Sequence, residues 1–386
     1  MNKVPKLRFK EFSEEWEEKR LGEVSEIIMG QSPSSSKYNE NFNGLPLIQG
    51  NADCKNRKVF PRIYTTEITK ESFPNDIIMT VRAPVGAISL SNIHSCIGRG
   101  VCAIRNASNF IYHYLIKLED SWDKLAQGST FTAVNSNNIK NLKINLPLLQ
   151  EQEKIADFLS SVDKKISIIE EKLDLFKDYK KGIMQKIFNQ ELRFKDSEGN
   201  DYPEWEEKRL GDVFSFKQGY QIPFKEQIKI KEKGYVRYLY ISDFFSDKNL
   251  LYVKDDGKEK ITETDITVAN TGNTAGSFYR GKSGILSNNM FNIQNDEKVV
   301  TNDFLFQFLG TSLYSNQLKT FFNSSGQPHL GHKNMSMIII NYPVSFEEQQ
   351  KIANFLSSID KKNDNLATEL ENLKEFKKGL LQQMFI

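Results

Sequence analysis

Glu15-Trp16-Glu17-Glu18-Lys19-Arg20-Leu21-Gly22 recurs without a change as Glu204-Trp205-Glu206-Glu207-Lys208-Arg209-Leu210-Gly211. The chain is therefore a tandem duplication. The same offset carries Gly30 onto Gly219. A second block, Lys154-Ile155-Ala156 with Phe158-Leu159-Ser160-Ser161, returns as Lys351-Ile352-Ala353 with Phe355-Leu356-Ser357-Ser358. A third, Lys180-Lys181-Gly182 running to Phe188, returns as Lys377-Lys378-Gly379 running to Phe385. Between these shared ends the copies diverge: the stretch from Pro46 to Ala133 shows little likeness to that from Arg237 to Leu330. Short periods indicate solenoids, whereas a period of about two hundred residues indicates a duplicated domain of ordinary size.

The 386 residues carry a formal net charge of +2, so composition by itself does not announce a nucleic-acid binder, and any basic face must be local. No apolar run approaches the roughly 18 residues of a membrane span, and the start of the chain lacks a signal-peptide core, so no membrane association and a cytoplasmic location are expected. Cys54, Cys96 and Cys102 show no CxxC spacing, which indicates neither a disulfide framework nor a zinc site.

After Pro147 the apolar positions Ile155, Leu159, Val162, Ile166, Ile169, Leu173 and Phe176 alternate steps of four and three, as a heptad seam does. After Pro343 the same seam reads Ile352, Leu356, Ile359, Asn363, Leu366, Leu370 and Leu373. Each helix should span about 40 residues, roughly 60 Å. Helices this long need a partner, and the pseudo-two-fold relation between the copies predicts an antiparallel coiled coil. Asn363 is a candidate for fixing register, with a solvated kink or simple tolerance as the equal alternative. Lys180 and Lys377 are expected at a frayed edge, because a buried unpaired ammonium is costly.

The divergent regions read as α/β (α+β) domains of short strands and turns. Asp76-Ile77-Ile78-Met79-Thr80-Val81 and Asp265-Ile266-Thr267-Val268 are equivalent strands, each running into Gly-rich turns containing Gly86 or Gly272 and Gly276. The expected boundaries are 1–147 and 191–344 for the two domains, with helices at 148–190 and 345–386. Loops rich in small polar residues begin at Gly30 and Gln127 in the first copy and at Gln218 and Ser324 in the second. Such loops suit phosphate positioning, while Arg, Asn and Gln can pair bidentately with base edges. The DNA-contact candidates are Gln31, Ser32, Lys37, Arg57, Arg82, Arg99, Ser129 and Thr130, then Gln218, Tyr220, Gln221, Asn273, Arg280, Gln327, His329 and Lys333. For any one loop alone, a solvated surface explains the composition as well.

A catalytic reading lacks parts: there is no GxGxxG after a strand, no P-loop, no HExxH and no Gly-x-Ser-x-Gly. His329 and His332 have no accompanying carboxylate or thiol cluster, so no metal is expected.

The repeated Trp-Glu-x-x-x-Leu-Gly block, the Pro-Leu-Leu-x-Glu-Gln-x-Lys-Ile-Ala-x-Phe-Leu helix start and the Lys-Lys-Gly helix end occur in order and twice. In this arrangement the chain closely resembles the specificity (DNA-recognition) subunit of type I restriction-modification enzymes. The second helix start, Pro343-Val344-Ser345-Phe346-Glu347-Glu348-Gln349, is a looser version of the first. The resemblance implies two target-recognition domains, each reading one half of a gapped, asymmetric site in double-stranded DNA, held apart by the coil. It also implies two methyltransferase subunits as partners, with restriction/translocase subunits beyond them. S-adenosylmethionine, ATP and Mg would belong to those partners, leaving no cofactor and no catalysis in this chain. The rival reading is a coiled-coil adaptor whose two heads bind protein without DNA specificity.

Overall fold

A computed structural model describes residues 4–127, 134–295, 299–322 and 328–386. The chain forms two compact units that do not coincide with the two sequence repeats. Unit 1 comprises Met1–Leu173 with Leu366–Ile386, and unit 2 comprises Asp174–Asn365.

In unit 1 the strand Ile77–Thr80 is buried at all four positions, as its unbroken apolar run requires of a strand covered on both faces. It lies between Val101–Arg105 and Ile88–Leu90 in a six-stranded sheet. A second, five-stranded sheet contains a parallel pair, Leu45–Ile48 beside Ser95–Ile97. Unit 2 repeats the plan with fewer strands. Ile266–Ala269 is again fully buried, between Met290–Gln294 and Phe278–Tyr279, and Tyr235–Leu239 runs parallel to Ile285–Leu286. The tryptophan block enters each unit as an edge strand, Glu17–Arg20 on Lys143–Leu146 and Glu206–Arg209 on Ile339–Tyr342, both antiparallel.

The retained ends now have a physical reason. Trp16 packs edge-on against Phe385, 6.4 Å between ring centroids, and Trp205 packs edge-on against Phe188 at 6.3 Å. Each unit thus joins the head of one repeat to the tail of the other, and neither end can drift without spoiling both joints. The repetition also reaches further upstream than the tryptophan block, for Leu7-Arg8-Phe9-Lys10 returns as Leu192-Arg193-Phe194-Lys195. The Leu7 amide donates to Gln383 O at 2.9 Å and the Leu192 amide to Lys186 O at 3.1 Å. Arg8 grips the buried Glu151 at 2.7 Å, and Arg193 grips the buried Glu348 at 3.1 Å. The Gln after each glutamate closes the helix start: Gln152 Nε2 donates to Pro147 O at 2.9 Å, and Gln349 Nε2 to Pro343 O at 2.8 Å.

The long helices are Leu149–Phe188 and Phe346–Met384. Within unit 1 the ion pairs Asp163–Lys377 and Glu170–Lys374 step forward along the first helix and backward along the second, so the segments run antiparallel. Ile155, Leu159, Val162, Ile166, Ile169 and Leu173 are buried, as are Ile352, Leu356, Ile359 and Leu366; Leu370 and Leu373 are partly buried. Asn363 is half-buried, and its Oδ1 is enclosed without a hydrogen-bond partner among the described residues. Ion pairs join the helices at other positions. Lys377, expected at a frayed edge, is instead only 6 % exposed and pairs with Asp163; Lys180 pairs likewise with Asp360. A carboxylate partner offsets part of the penalty that argued against burial.

These two pairs sit in matching networks. In unit 1 the Asp163 carboxylate also lies 3.8 Å from His113 Nδ1, and His113 Nε2 is 3.3 Å from Ser160 Oγ. In unit 2 Gln307 Nε2 donates to Asp360 Oδ2 and to Ser357 Oγ, both at 3.2 Å. Burial, then the nearby Lys377 and Arg57 charges, pull the His113 pKa down to about 3. Burial also lowers the Lys377 pKa, with Asp163 opposing the shift.

Candidate nucleic-acid interface

The glycine shared by both copies, just after the strands Glu26–Met29 and Ser215–Gln218, fixes the site. A Cβ on Gly30 would lie 2.1 Å from Gly98 O, and one on Gly219 would lie 2.2 Å from Ser287 O, so only glycine permits this approach of two backbone segments. Around it the same backbone hydrogen bonds recur. Gln31 N donates to Ile97 O (2.9 Å) as Tyr220 N does to Leu286 O (2.8 Å), and Gly98 N donates to Ile48 O (2.8 Å) as Ser287 N does to Leu239 O (2.9 Å). Val81 N donates to Gly100 O (2.9 Å) as Asn270 N does to Asn289 O (3.0 Å). Val134 N donates to Val81 O (3.1 Å) as Leu330 N does to Asn270 O (2.8 Å).

The residue following each anchored position therefore has a counterpart in the other unit. Ser32 answers to Gln221, Gln49 to Tyr240, Arg82 to Thr271 and Arg99 to Asn288. In unit 1 Ser32, Gln49, Asn51, Arg82 and Arg99 line an open cleft of about 390 Å³. Ser32 Oγ accepts the Arg99 amide at 3.1 Å. Arg82 and Arg99 are exposed, and their guanidinium groups have no hydrogen-bond or ion-pair partner among the described residues. Of the DNA-contact candidates, Ser32, Arg82 and Arg99 are thus brought together. Gln49 and Asn51 join them unforeseen, since neither sits in a loop whose composition marks it.

Other candidates are committed within the protein. Arg57 forms a two-pronged pair with Glu119 at 2.7 and 2.8 Å and donates to Ile88 O at 3.0 Å. Arg280 pairs with Asp303 at 2.8 Å and lies over the Phe306 ring at 3.9 Å. Both are held by carboxylates distant in sequence, which composition cannot reveal. Arg105 is similarly held by Asp76, and Arg237 and Lys282 by Asp247. Gln218 Nε2 is spent on Asn288 O and Met290 O, and the Tyr220 hydroxyl accepts the Glu259 amide at 3.3 Å. Gln31, Lys37, Gln221, Asn273, His329 and Lys333 are exposed, with His329 bridged by backbone to Thr271. Ser129, Thr130 and Gln327 lie outside the described residues. Among the described residues no group of three or more His, Cys, Asp or Glu could hold a metal ion, and no helix is long and apolar enough to cross a membrane.

Comparison with known proteins returns one family. The sequence profile of the type I restriction modification DNA specificity domain matches twice, over residues 13–176 and 202–375. The MjaIX type I restriction enzyme specificity subunit of Methanocaldococcus jannaschii is 28 % identical over 251 residues, 58 % of this chain and 56 % of its own length. The MjaVIII specificity subunit of the same organism is 26 % identical over 288 residues, 69 % of this chain and 67 % of its own. A further M. jannaschii relative, provisionally named as the MjaX specificity subunit, is 35 % identical over 192 residues, 48 % of this chain. That match spans only 45 % of the relative's length. The crystal structure of a type I restriction-modification system S subunit from M. genitalium superposes with a TM-score of 0.66 at 18 % identity, covering 99 % of both chains. The fold is shared.

Proposed function

The chain belongs to the family of type I restriction modification DNA specificity domains, and from that premise we propose that each unit reads one half of a bipartite, gapped site in double-stranded DNA. The observation that carries this reading is the repeated backbone frame at Gly30 and Gly219, bearing different side chains at each corresponding position. A common scaffold with exchanged side chains is what two different half-sites require of duplicated domains. The long helices set the spacing between half-sites and dock methyltransferase subunits, for which the exposed Ile168, Leu175 and Phe376 offer apolar contacts. Adenine methylation with S-adenosylmethionine, and restriction with ATP and Mg, are the work of those partners and not of this chain.

The test is selection from a randomised duplex library by the full chain complexed with its modification partner. The expected result is one two-part motif with an unread gap, bound with an affinity that falls steeply with salt. Exchange of residues 46–133 should alter one half of the motif alone. A complex that binds DNA weakly, without sequence preference and without salt dependence, would replace this reading by the adaptor.

A further inference from the structure

Resting on the half-site reading above, we propose that Arg82 and Arg99 are specificity-determining residues of unit 1 that read guanine in the major groove. Three observations carry this. First, the two guanidinium groups stand free in the same cleft, whereas Arg8, Arg57, Arg62 and Arg105 of the same unit are each spent on a carboxylate. A guanidinium presents two parallel donors that match guanine O6 and N7.

Second, the positions are held by backbone rather than by their own side chains. Val81 and Gly98, which precede them, are tied to Gly100 O and Ile48 O, so both arginines project from a rigid frame. Third, unit 2 builds the same frame and places Thr271 and Asn288 there. Phosphate contacts carry no sequence information and serve any half-site equally, so a phosphate-binding pair would be as useful to one unit as to the other. Base contacts must differ when the half-sites differ. The exchange of Arg for Thr and for Asn within a retained frame therefore marks base readout. Asn288 carries the amide that pairs bidentately with adenine, so the same frame assigns a different base to unit 2.

The experiment repeats the library selection with Arg82→Thr and Arg99→Asn, each transplanting the residue of unit 2. Both side chains are exposed, so neither change disturbs a packed core. Each variant should lose preference for G at one position of one half-site by about 5- to 150-fold, while the other half-site stays unchanged. Arg99→Asn should moreover gain preference for A at that position. Uniformly weaker binding with a shallower salt slope and an unaltered motif would make both arginines phosphate contacts and overturn the proposal. Loss of preference for a base other than G would overturn it too. If the unsubstituted protein selects no motif, the half-site reading itself fails, and this inference with it.

Discussion

Replacing His113 by glutamine should flatten the acid side of unit 1's stability profile. The His113 side chain is fully buried, its Nδ1 lacks a hydrogen-bond partner, and its pKa is pulled down to about 3, chiefly by burial. Above pH 7 the imidazole is neutral in folded and unfolded chains alike. As pH falls through the ordinary histidine value near 6.5, the unfolded chain takes up a proton that the folded chain refuses, and stability declines until the folded imidazole itself protonates. At about 1.4 kcal/mol per pH unit, the loss between pH 6.5 and pH 5 is about 2 kcal/mol. Gln307 occupies the matching place in unit 2 and carries no such titration. Urea unfolding can isolate the effect, because Trp16 and Trp122 lie in unit 1 and Trp205 in unit 2. In a Trp205→Phe background the fluorescence reports unit 1. His113→Gln should gain about 2 kcal/mol on the parent between pH 7.5 and pH 5. Parallel profiles would refute the claim that a neutral buried imidazole is required there.

The ion pair beside it should respond asymmetrically. Asp163→Ala strands the buried Lys377 ammonium and should cost about 3 kcal/mol, whereas Lys377→Met leaves Asp163, 30 % exposed, to water and should cost less; equal losses in the same unfolding assay would contradict this. Asn363→Ile, which installs the residue found at Ile166, should stabilise unit 2 by about 1 kcal/mol, because it removes an enclosed amide oxygen without a partner; a lower urea midpoint read from Trp205 would oppose this. Gly219→Ala sets a methyl 2.2 Å from Ser287 O and should destabilise unit 2 by about 1–3 kcal/mol, with selection at one half-site lost; a variant that keeps both stability and selection would contradict the frame.

The candidate site was only partly legible. Composition marked Ser32, Arg82 and Arg99, but it marked Arg57 and Arg280 with equal weight. Arg57 finds Glu119 and Arg280 finds Asp303 only through the fold, so a count of basic residues cannot separate an arginine facing DNA from one facing a carboxylate. Gln49 and Asn51 carried no signal, for they reach the cleft by following a buried strand rather than by belonging to a polar loop.

What the sequence by itself determined is whatever local physics encodes: the duplication, the heptad seams and the apolar central strands. Periodicity is written along the chain, and a seam of Ile155, Leu159 and Val162 needs no knowledge of its partner to be a seam. What only the tertiary structure decided is which distant groups meet. Trp16 of the first repeat meets Phe385 at the tail of the second, and Lys377 is buried because Asp163 awaits it. Those contacts join segments hundreds of residues apart, and Coulomb attraction and packing act through space, where the order of residues along the chain carries no distance.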